Sequence, residues 1–453
     1  AGVFHIKIYI VDDQLLLSGA NLSREYFRDR MDRYLHLVDG ANGLVDFYAE
    51  VVEILCRHSN EYDPTSLTSY NVSKKPTAKT ETTKLKTRQS EFLREITQHF
   101  QDPNHNPSSL SSARDLFGDN FSTANRNDKS KIVAVGVPTF QAPAGYFRST
   151  DRTGEKPPSV PTDVAKALST FWSLFRIDQQ PPDKVDFVTD VDATLSLLRE
   201  AGTANNNNYS NNKSKGRYYS VQLSSAYLNP TKNLLSVLQE GYRKVELLTA
   251  GKISHGFKPK KKECKEGSQG KDWTIPSVFD KLVEQCMSSL RSTPAMDARL
   301  FYWERPDWTF HAKGIWVREE QEETDGAQND RVGKDDKNNS EVAAVVVGSS
   351  NFGYRSFCRD MESNILLVFP PATNTKNETE SGIAGTFEDE WNNLIASSKP
   401  EVLTQDENET SLSDDRYHGQ EANVAATEID TAKKPPPLPW PILKSVPYIK
   451  TFF

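Results

Sequence analysis

Short apolar runs separated by polar residues dominate the first forty positions of the chain. Val3 to Val11 is rich in β-branched and aromatic residues, and Leu15 to Leu17 and Leu35 to Val38 are two further runs, which predicts three strands. From Asp46 to Cys56 the apolar residues recur at helical spacing instead, which predicts an amphipathic helix. The chain therefore opens with strands against which a helix can pack.

The same two patterns alternate through the rest of the 453 residues. Strands are predicted at 132–137, 218–223, 245–248, 300–303 and 342–347, and helices at 92–100, 161–175, 232–240 and 278–290. Polar segments without periodicity separate them: we interpret 60–87 as a disordered linker, 205–212 as an Asn-rich loop and 319–340 as a surface insertion. Alternating strands and helices predict an α/β fold.

Composition narrows the possible partners only a little. The net charge of −7 and a calculated pI near 5.8 give no overall attraction to nucleic acid, although the local basic run Lys258 to Lys262 could contact anionic lipid or be a solvated loop. No run of eighteen apolar residues predicts a membrane span. The C-terminal tail, 435–453, mixes aromatic residues with lysines and prolines, which fits either a membrane interface or a tail docked on the core.

An internal repeat carries the candidate chemistry. HIKIYIVDDQLLLSGANLS begins at His5, and HAKGIWV begins at His311 and leads, after the polar insertion, to VVVGSSNFG. In each copy an Asn, Asn21 or Asn351, is followed eleven positions later by an acidic residue. A single His-x-Lys is a weak signal, but two copies that are each followed by this Asn and acidic residue predict a paired site.

The repeated residue types suit attack on a phosphodiester. A nucleophile, an acid for the leaving oxygen and cations around the non-bridging oxygens are required, and His, Lys and Asn supply them. On a strand, His5 and Lys7 share one face, as do His311 and Lys313. The acidic residue of each copy is our candidate to orient a histidine ring, or else a salt-bridge partner of a neighbouring arginine.

These residues resemble the HKD motif of the phospholipase D superfamily. His5, Lys7, Asp12, Gly19 and Asn21 match the first copy, while the second copy has Arg318 where the motif has Asp. Within the superfamily, segments such as AYLNPT, WTFHAKGIW and GSSNFGYRSFCRDMES are similar to the eukaryotic mitochondrial phosphatidylglycerophosphate synthases. The implied fold is α/β: two pseudo-symmetric phospholipase D-like halves, each a mixed β-sheet flanked by helices, with the active site at their interface.

The resemblance also implies a division of the chain and of the site. Residues 1–130 would be the C-terminal part of the first half, with an upstream part missing, 131–400 the second half and 401–453 an acidic linker with an amphipathic tail. The predicted catalytic residues are His5, Lys7, Asn21, Asp32, His311, Lys313, Asn351 and Glu362, and the predicted structural residues are Asp12, Gly19 and Gly348. The candidate substrate ligands are Ser349 and, just past the second motif, Tyr354, Arg355 and Arg359, where an Arg either binds a phosphate bidentately or has a solvated or structural role.

What the resemblance implies for function is a metal-free, cofactor-free transfer of a phosphatidyl group from CDP-diacylglycerol to sn-glycerol 3-phosphate, a step toward cardiolipin. The place would be the matrix side of the inner mitochondrial membrane, with peripheral contact to anionic lipid. His5 would be the nucleophile and His311 the acid, with the opposite assignment left open. Two alternatives remain: a phosphodiesterase acting on nucleic acid, and a silent scaffold that keeps the fold to bind partners.

Overall fold

The computed structural model describes most of the predicted strands and helices. The described residues are 3–38, 43–59, 79–102, 134–142, 189–211, 217–257, 275–321, 340–369 and 382–401. The predicted helix 161–175, the lysine run after Phe257, most of the polar insertion and the C-terminal tail lie outside them. Within the described part, no helix combines the length and the apolarity that crossing a bilayer requires.

Thirteen strands are described, in three sheets. They are β1 Ile8–Val11, β2 Gln14–Ser18, β3 Arg30–Met31, β4 Tyr34–Val38, β5 Val135–Gln141, β6 Arg217–Ser224, β7 Lys244–Ala250, β8 Asp297–Trp303, β9 Thr309–Phe310, β10 Gly314–Gln321, β11 Glu341–Gly348, β12 Glu362–Val368 and β13 Ser398–Pro400. The large sheet has the order β13-β8-β7-β6-β10-β11-β12-β5, with β6, β7 and β8 parallel and the other pairings antiparallel. The α/β class is confirmed.

Seven α-helices accompany the strands in the described ranges. They are α1 Leu44–His58, α2 Lys79–Gln101, α3 Asp190–Asn211, α4 Lys232–Gly241, α5 Ile275–Arg291, α6 Tyr354–Cys358 and α7 Gly382–Ala396. Two predictions were wrong locally: α2 begins inside the predicted linker, and α3 continues through most of the predicted Asn-rich loop. The Asn205 side chain explains the second case, since its amide bonds to the backbone of Tyr219 and Gly241 and is buried there.

The core lies on both faces of the large sheet. Along β10, Trp316 packs into one hydrophobic cluster, with α1, α2 and α7, while Ile315 and Val317 pack into a second, with α3, α4 and α5. Such burial on both faces explains the nearly continuous apolar sequence of the central strands. The other sheets are small: β1, β2 and β4 form a three-stranded antiparallel sheet, and β3 pairs with β9. The sheets are thus unequal, and the symmetry of whole halves stays a prediction.

Candidate active site

His311 is held against the acidic residue of the first motif. Its backbone N–H donates to Met31 O at 2.7 Å, because β3 and β9 run parallel, and its ring Nδ1 lies 2.7 Å from Asp32 Oδ2. Lys313 Nζ lies 3.4 Å from the same carboxylate oxygen and 2.7 Å from His311 Nδ1. His311, Asp32 and Lys313 are all buried. One carboxylate therefore positions both functional groups of the second motif.

His5 has the matching arrangement with the acidic residue of the second motif. Its backbone N–H donates to Met361 O at 2.9 Å, and its Nδ1 lies 2.9 Å from Glu362 Oε2. Glu362 is fully buried and also accepts a hydrogen bond from the Ser349 hydroxyl, whereas the His5 side chain keeps 20% of its exposure. Lys7 Nζ donates to His5 O at 2.6 Å. The carboxylate of each motif thus contacts the histidine of the other motif, an arrangement that we call the exchange of carboxylates.

The lysines of the two motifs act on each other electrostatically. Burial lowers the pKa of Lys7 to about 7, against the opposing charge of Glu362, and the positive charge of Lys313 adds to the lowering. Burial also lowers the pKa of Lys313, against the opposing effect of Asp32. Coulomb interactions of this kind require short separations or a low local dielectric. Together with the contacts of His5 with Glu362 and of His311 with Asp32, this mutual effect indicates that both His-x-Lys motifs share one site.

Ionised carboxylates and a neutral His311 follow from the same contacts. Burial alone would raise the pKa of the Asp32 carboxyl, but Lys313 and His311 lower it overall, and His5 has the same effect on buried Glu362. Burial and the charge of Lys313 lower the pKa of His311 to about 4. A neutral imidazole whose Nδ1–H is held by a carboxylate offers its Nε2 lone pair, as a nucleophile or a base must.

The motif glycines allow close approach of backbone and side chains. A Cβ atom at Gly19 would lie 2.2 Å from Lys313 Nζ and 2.8 Å from Asp32 Oδ1. Gly348 has a φ of +156°, and a Cβ atom there would lie 2.2 Å from Asn364 Oδ1. Each position therefore has room only for hydrogen. Asp12, the third residue predicted to be structural, has a φ of +50° in the exposed turn between β1 and β2.

The structure places the two predicted asparagines differently. Asn21 is exposed in the turn after β2. Asn351 is half-buried: its N–H donates to Ser356 Oγ, its carbonyl accepts from Ser225 Oγ, and its Oδ1 has no hydrogen-bond partner among the described residues. The buried Oδ1 is an acceptor available to a bound group. The turn continues through Phe352, whose φ of +57° is unusual for a bulky residue.

The predicted substrate ligands lie around α6. Ser349 is fully buried with its hydroxyl on Glu362, so it supports the carboxylate. Arg355 Nε donates to Asp360, at 2.8 Å to Oδ2, and Arg359 stacks on the Tyr354 ring. A substrate contact by these two arginines and by the tyrosine stays a prediction. Arg318, which stands at the missing Asp position, is buried in β10 and forms an ion pair with Glu388 at 2.6 Å.

Two tyrosines that the sequence analysis did not identify, Tyr26 and Tyr227, contact the His311 ring. The Tyr26 hydroxyl lies 3.3 and 3.4 Å from the two ring nitrogens of His311, and the rings meet edge-on at 5.3 Å. Arg30 donates to that hydroxyl at 3.1 Å, and Tyr227 meets His311 edge-on at 5.9 Å. Tyr227 lies in the segment AYLNPT, which carries part of the resemblance, and Tyr26 lies three residues after the first motif segment, but no spacing distinguishes them from core aromatic residues.

Arg33 is a second residue without a signal in the sequence pattern. Its side chain is 3% exposed, donates to Lys313 O at 3.1 Å and forms a bidentate ion pair with Glu390 at 2.8 and 2.7 Å. It packs so closely over Gly314 that a Cβ atom there would lie 1.6 Å from Nη1. Arg33 therefore fixes the backbone that carries Lys313.

Two histidine–carboxylate pairs and two lysines thus occur together on an α/β fold, the combination of residues that the two HKD-like motifs predicted. Proteins similar to this chain in sequence have the name of the family that the motifs resemble. A probable CDP-diacylglycerol–glycerol-3-phosphate 3-phosphatidyltransferase of Dictyostelium discoideum is 24% identical over 371 residues, 81% of this chain and 49% of the relative. The human mitochondrial enzyme of the same name is 24% identical over 81% of this chain and 52% of its own length.

The resemblance predicted from the motifs is confirmed by these relatives, and the chain spans about half of their length. No family model matches the chain. Among solved structures, phosphatidylserine synthase of Haemophilus influenzae matches with a TM-score of 0.46 at 14% identity, over 88% of this chain and 63% of the other. A likeness at that level adds nothing to the argument from the residues.

Proposed function

We propose that the protein transfers a phosphatidyl group from CDP-diacylglycerol to sn-glycerol 3-phosphate, giving phosphatidylglycerophosphate and CMP. The single observation that supports this most is the exchange of carboxylates, His5 with Glu362 and His311 with Asp32. It supplies two oriented imidazoles, as a two-step displacement at phosphorus requires. The substrates come from the names of the relatives.

In the first step, one imidazole Nε2 attacks the phosphatidyl phosphorus while the bond to the CMP oxygen breaks. The second histidine gives its proton to that oxygen. In the second step, the same histidine takes the proton of the glycerol 3-phosphate hydroxyl, whose oxygen displaces the first imidazole from phosphorus. Lys7 and Lys313 stabilise the charge on the non-bridging oxygens in both steps.

The surroundings of His311 favour it as the nucleophile, the assignment that the sequence left second. Its lowered pKa of about 4 keeps it neutral at pH 7, and a group that is neutral there is a poor proton donor. His5 is the more exposed of the two, at 20% of its side chain, so it can exchange protons with solvent, and Glu362 holds its ring by Nδ1 at 2.9 Å. We therefore assign proton transfer to His5.

The relatives named mitochondrial support a mitochondrial location. Within that proposal the matrix side of the inner membrane, with peripheral contact to anionic lipid, is the surface that would present CDP-diacylglycerol. Phosphatidylglycerophosphate would then enter cardiolipin synthesis. The alternative of nucleic-acid cleavage keeps the same site residues and differs in the substrate.

The test is a transferase assay on the full chain. We would incubate the protein with CDP-diacylglycerol in mixed micelles, glycerol 3-phosphate and EDTA, and measure CMP and the lipid product. His5→Ala and His311→Ala are expected to lose activity at least a thousandfold, and His36→Ala, at an exposed position of β4, should keep it. If the intact protein releases no CMP but cleaves a single-stranded oligonucleotide, the lipid proposal is wrong.

The covalent step can be assigned separately. With CDP-diacylglycerol labelled at the phosphatidyl phosphorus and no acceptor, an alkaline quench would preserve the labelled histidine–phosphorus bond of the adduct even where the acyl esters hydrolyse. We expect the adduct in His5→Ala, because CMP leaves readily without an acid, and none in His311→Ala. The reverse pattern would restore His5 as the nucleophile.

A further inference from the structure

A cluster of aromatic rings adjoins His311 through the ring of Tyr227. Tyr227, His255, Phe257 and Phe279 form it, with every pair of ring centroids between 5.2 and 6.4 Å apart. Tyr227 also meets His311, at 5.9 Å, so its ring links the cluster to the reacting centre. Phe257, the most exposed of the four, is 40% exposed.

His255 carries an unpaired donor inside this cluster. The residue is 3% exposed, and its Nδ1 accepts the backbone N–H of Phe257 at 3.2 Å, so the ring proton lies on Nε2. Nε2 is buried and has no hydrogen-bond partner among the described residues. A buried N–H group without a partner destabilises a fold, so a ligand acceptor at this position would gain the full benefit of the bond.

We propose that this cluster binds the cytosine base of CDP-diacylglycerol, with His255 Nε2–H donating to a ring acceptor of the base and the rings of Tyr227 and Phe257 providing apolar contact. The inference rests on the proposed function, which supplies the nucleotide. In this arrangement the pyrophosphate of the substrate binds at the histidines and lysines, and its base binds beyond Tyr227.

The chemistry of the cluster selects a neutral heteroaromatic ring over the other parts of the two substrates. Burial alone lowers the pKa of His255 to about 4, and no charged group contributes to that shift, so the donor is neutral. A phosphate would need cations in place of this neutral donor. An acyl chain would leave the N–H unpaired. Cytosine has the acceptors O2 and N3 and a face that stacks on aromatic rings.

The decisive comparison is inhibition of the full-length protein by CMP and by ribose 5-phosphate, which lacks the base. We would measure both against CDP-diacylglycerol in the intact protein, in His255→Phe, which keeps a flat ring without the donor, and in His255→Gln, which keeps an N–H near Nε2. In the intact protein CMP should inhibit at least tenfold more strongly. His255→Phe should weaken CMP inhibition five- to tenfold and leave ribose 5-phosphate unchanged, and Gln should restore part of the difference.

A purely structural role predicts another pattern. His255→Phe removes the unpaired Nε2–H donor and also the acceptor of the Phe257 N–H, two changes with opposite effects on stability, so its unfolding temperature should stay close to that of the intact protein while it loses CMP affinity. If it does not fold, Phe257→Ala, at a 40% exposed position, gives the same affinity test. Equal inhibition by CMP and ribose 5-phosphate in an intact protein that does release CMP from CDP-diacylglycerol would overturn the inference alone. Failure to release CMP would overturn the proposed function with it.

Discussion

Replacing Asp32 with asparagine removes one charge and one acceptor with almost no change of shape. Asp32 Oδ1 accepts the Arg33 backbone N–H at 2.8 Å, and Oδ2 faces His311 Nδ1 at 2.7 Å and Lys313 Nζ at 3.4 Å. Both oxygens therefore accept hydrogen bonds. An asparagine has one oxygen, so in either orientation its NH2 group meets a donor. We expect Asp32→Asn to disturb the site more than its size suggests.

The magnitude follows from these distances. At 3.4 Å and an effective dielectric constant of about 20, the attraction between Asp32 and the Lys313 ammonium is about 5 kcal/mol. Losing the partner of a buried charge destabilises a fold by about 3–5 kcal/mol, unless the group becomes neutral. Lys313, whose pKa is already lowered, would then lose its proton and with it the stabilisation of the phosphate oxygens. Losing the carboxylate on His311 adds about 1.5–3 kcal/mol to the barrier, roughly a ten- to hundredfold slower reaction.

The assay is kcat/KM for CMP release, together with urea unfolding. Asp32→Asn should lower kcat/KM at least a hundredfold and the free energy of unfolding by up to about 4 kcal/mol. The control is Asp12→Asn, an exposed turn residue at a φ of +50° that asparagine also adopts, and it should change neither quantity. If Asp32→Asn keeps more than a third of kcat/KM, Asp32 is a plain salt-bridge partner and the reasoning is wrong.

Four further results are expected. Tyr26→Phe should lower kcat about fivefold, because it removes one hydroxyl contact from the ring of His311; an unchanged kcat would restrict Tyr26 to packing. Gly19→Ala should abolish activity, since its Cβ would overlap the second-motif ammonium, while Gly382→Ala, with open space around it, should not; equal activities would contradict the packing. The pKa of His311 is near 4 folded and about 6.5 unfolded, so about 3 kcal/mol of stability should be lost as the pH falls from 6.5 to 4, a loss that His311→Phe removes in urea titrations. Burial raises the pKa of the Asp190 carboxyl from 3.8 to about 6, so its contribution to stability changes with pH in the opposite direction. About 3 kcal/mol of stability is present below pH 4 and is lost as the pH rises through 6, and Asp190→Asn should abolish this dependence.

Local sequence patterns predicted most of the strands and helices. The alternation and the helical spacing predict β2, β4, β6, α1, α4 and α5 to within a few residues of their observed bounds, because each buries one face or both against neighbours of the same kind. The failures share a cause. The polar residues at the end of α3 and the start of α2 resemble a loop locally, and for Asn205 a side-chain contact with the backbone of Tyr219 and Gly241 overrides that local preference.

By itself the sequence determined the chemical groups: two His-x-Lys pairs, an acidic residue eleven positions after the Asn of each copy, and glycines at the turns. The prediction that each His-x-Lys pair lies on a strand was wrong, since His5 and Lys7 precede β1, and His311 and Lys313 lie between β9 and β10. Only the tertiary structure decided that the carboxylates are exchanged, so that Glu362 serves His5 and Asp32 serves His311. The choice depends on parallel pairing between segments about 280 and 360 residues apart in sequence, as between Met31 and His311. Local spacing has no means of encoding such a pairing, since it arises from the burial of the sheets that carry the two motifs.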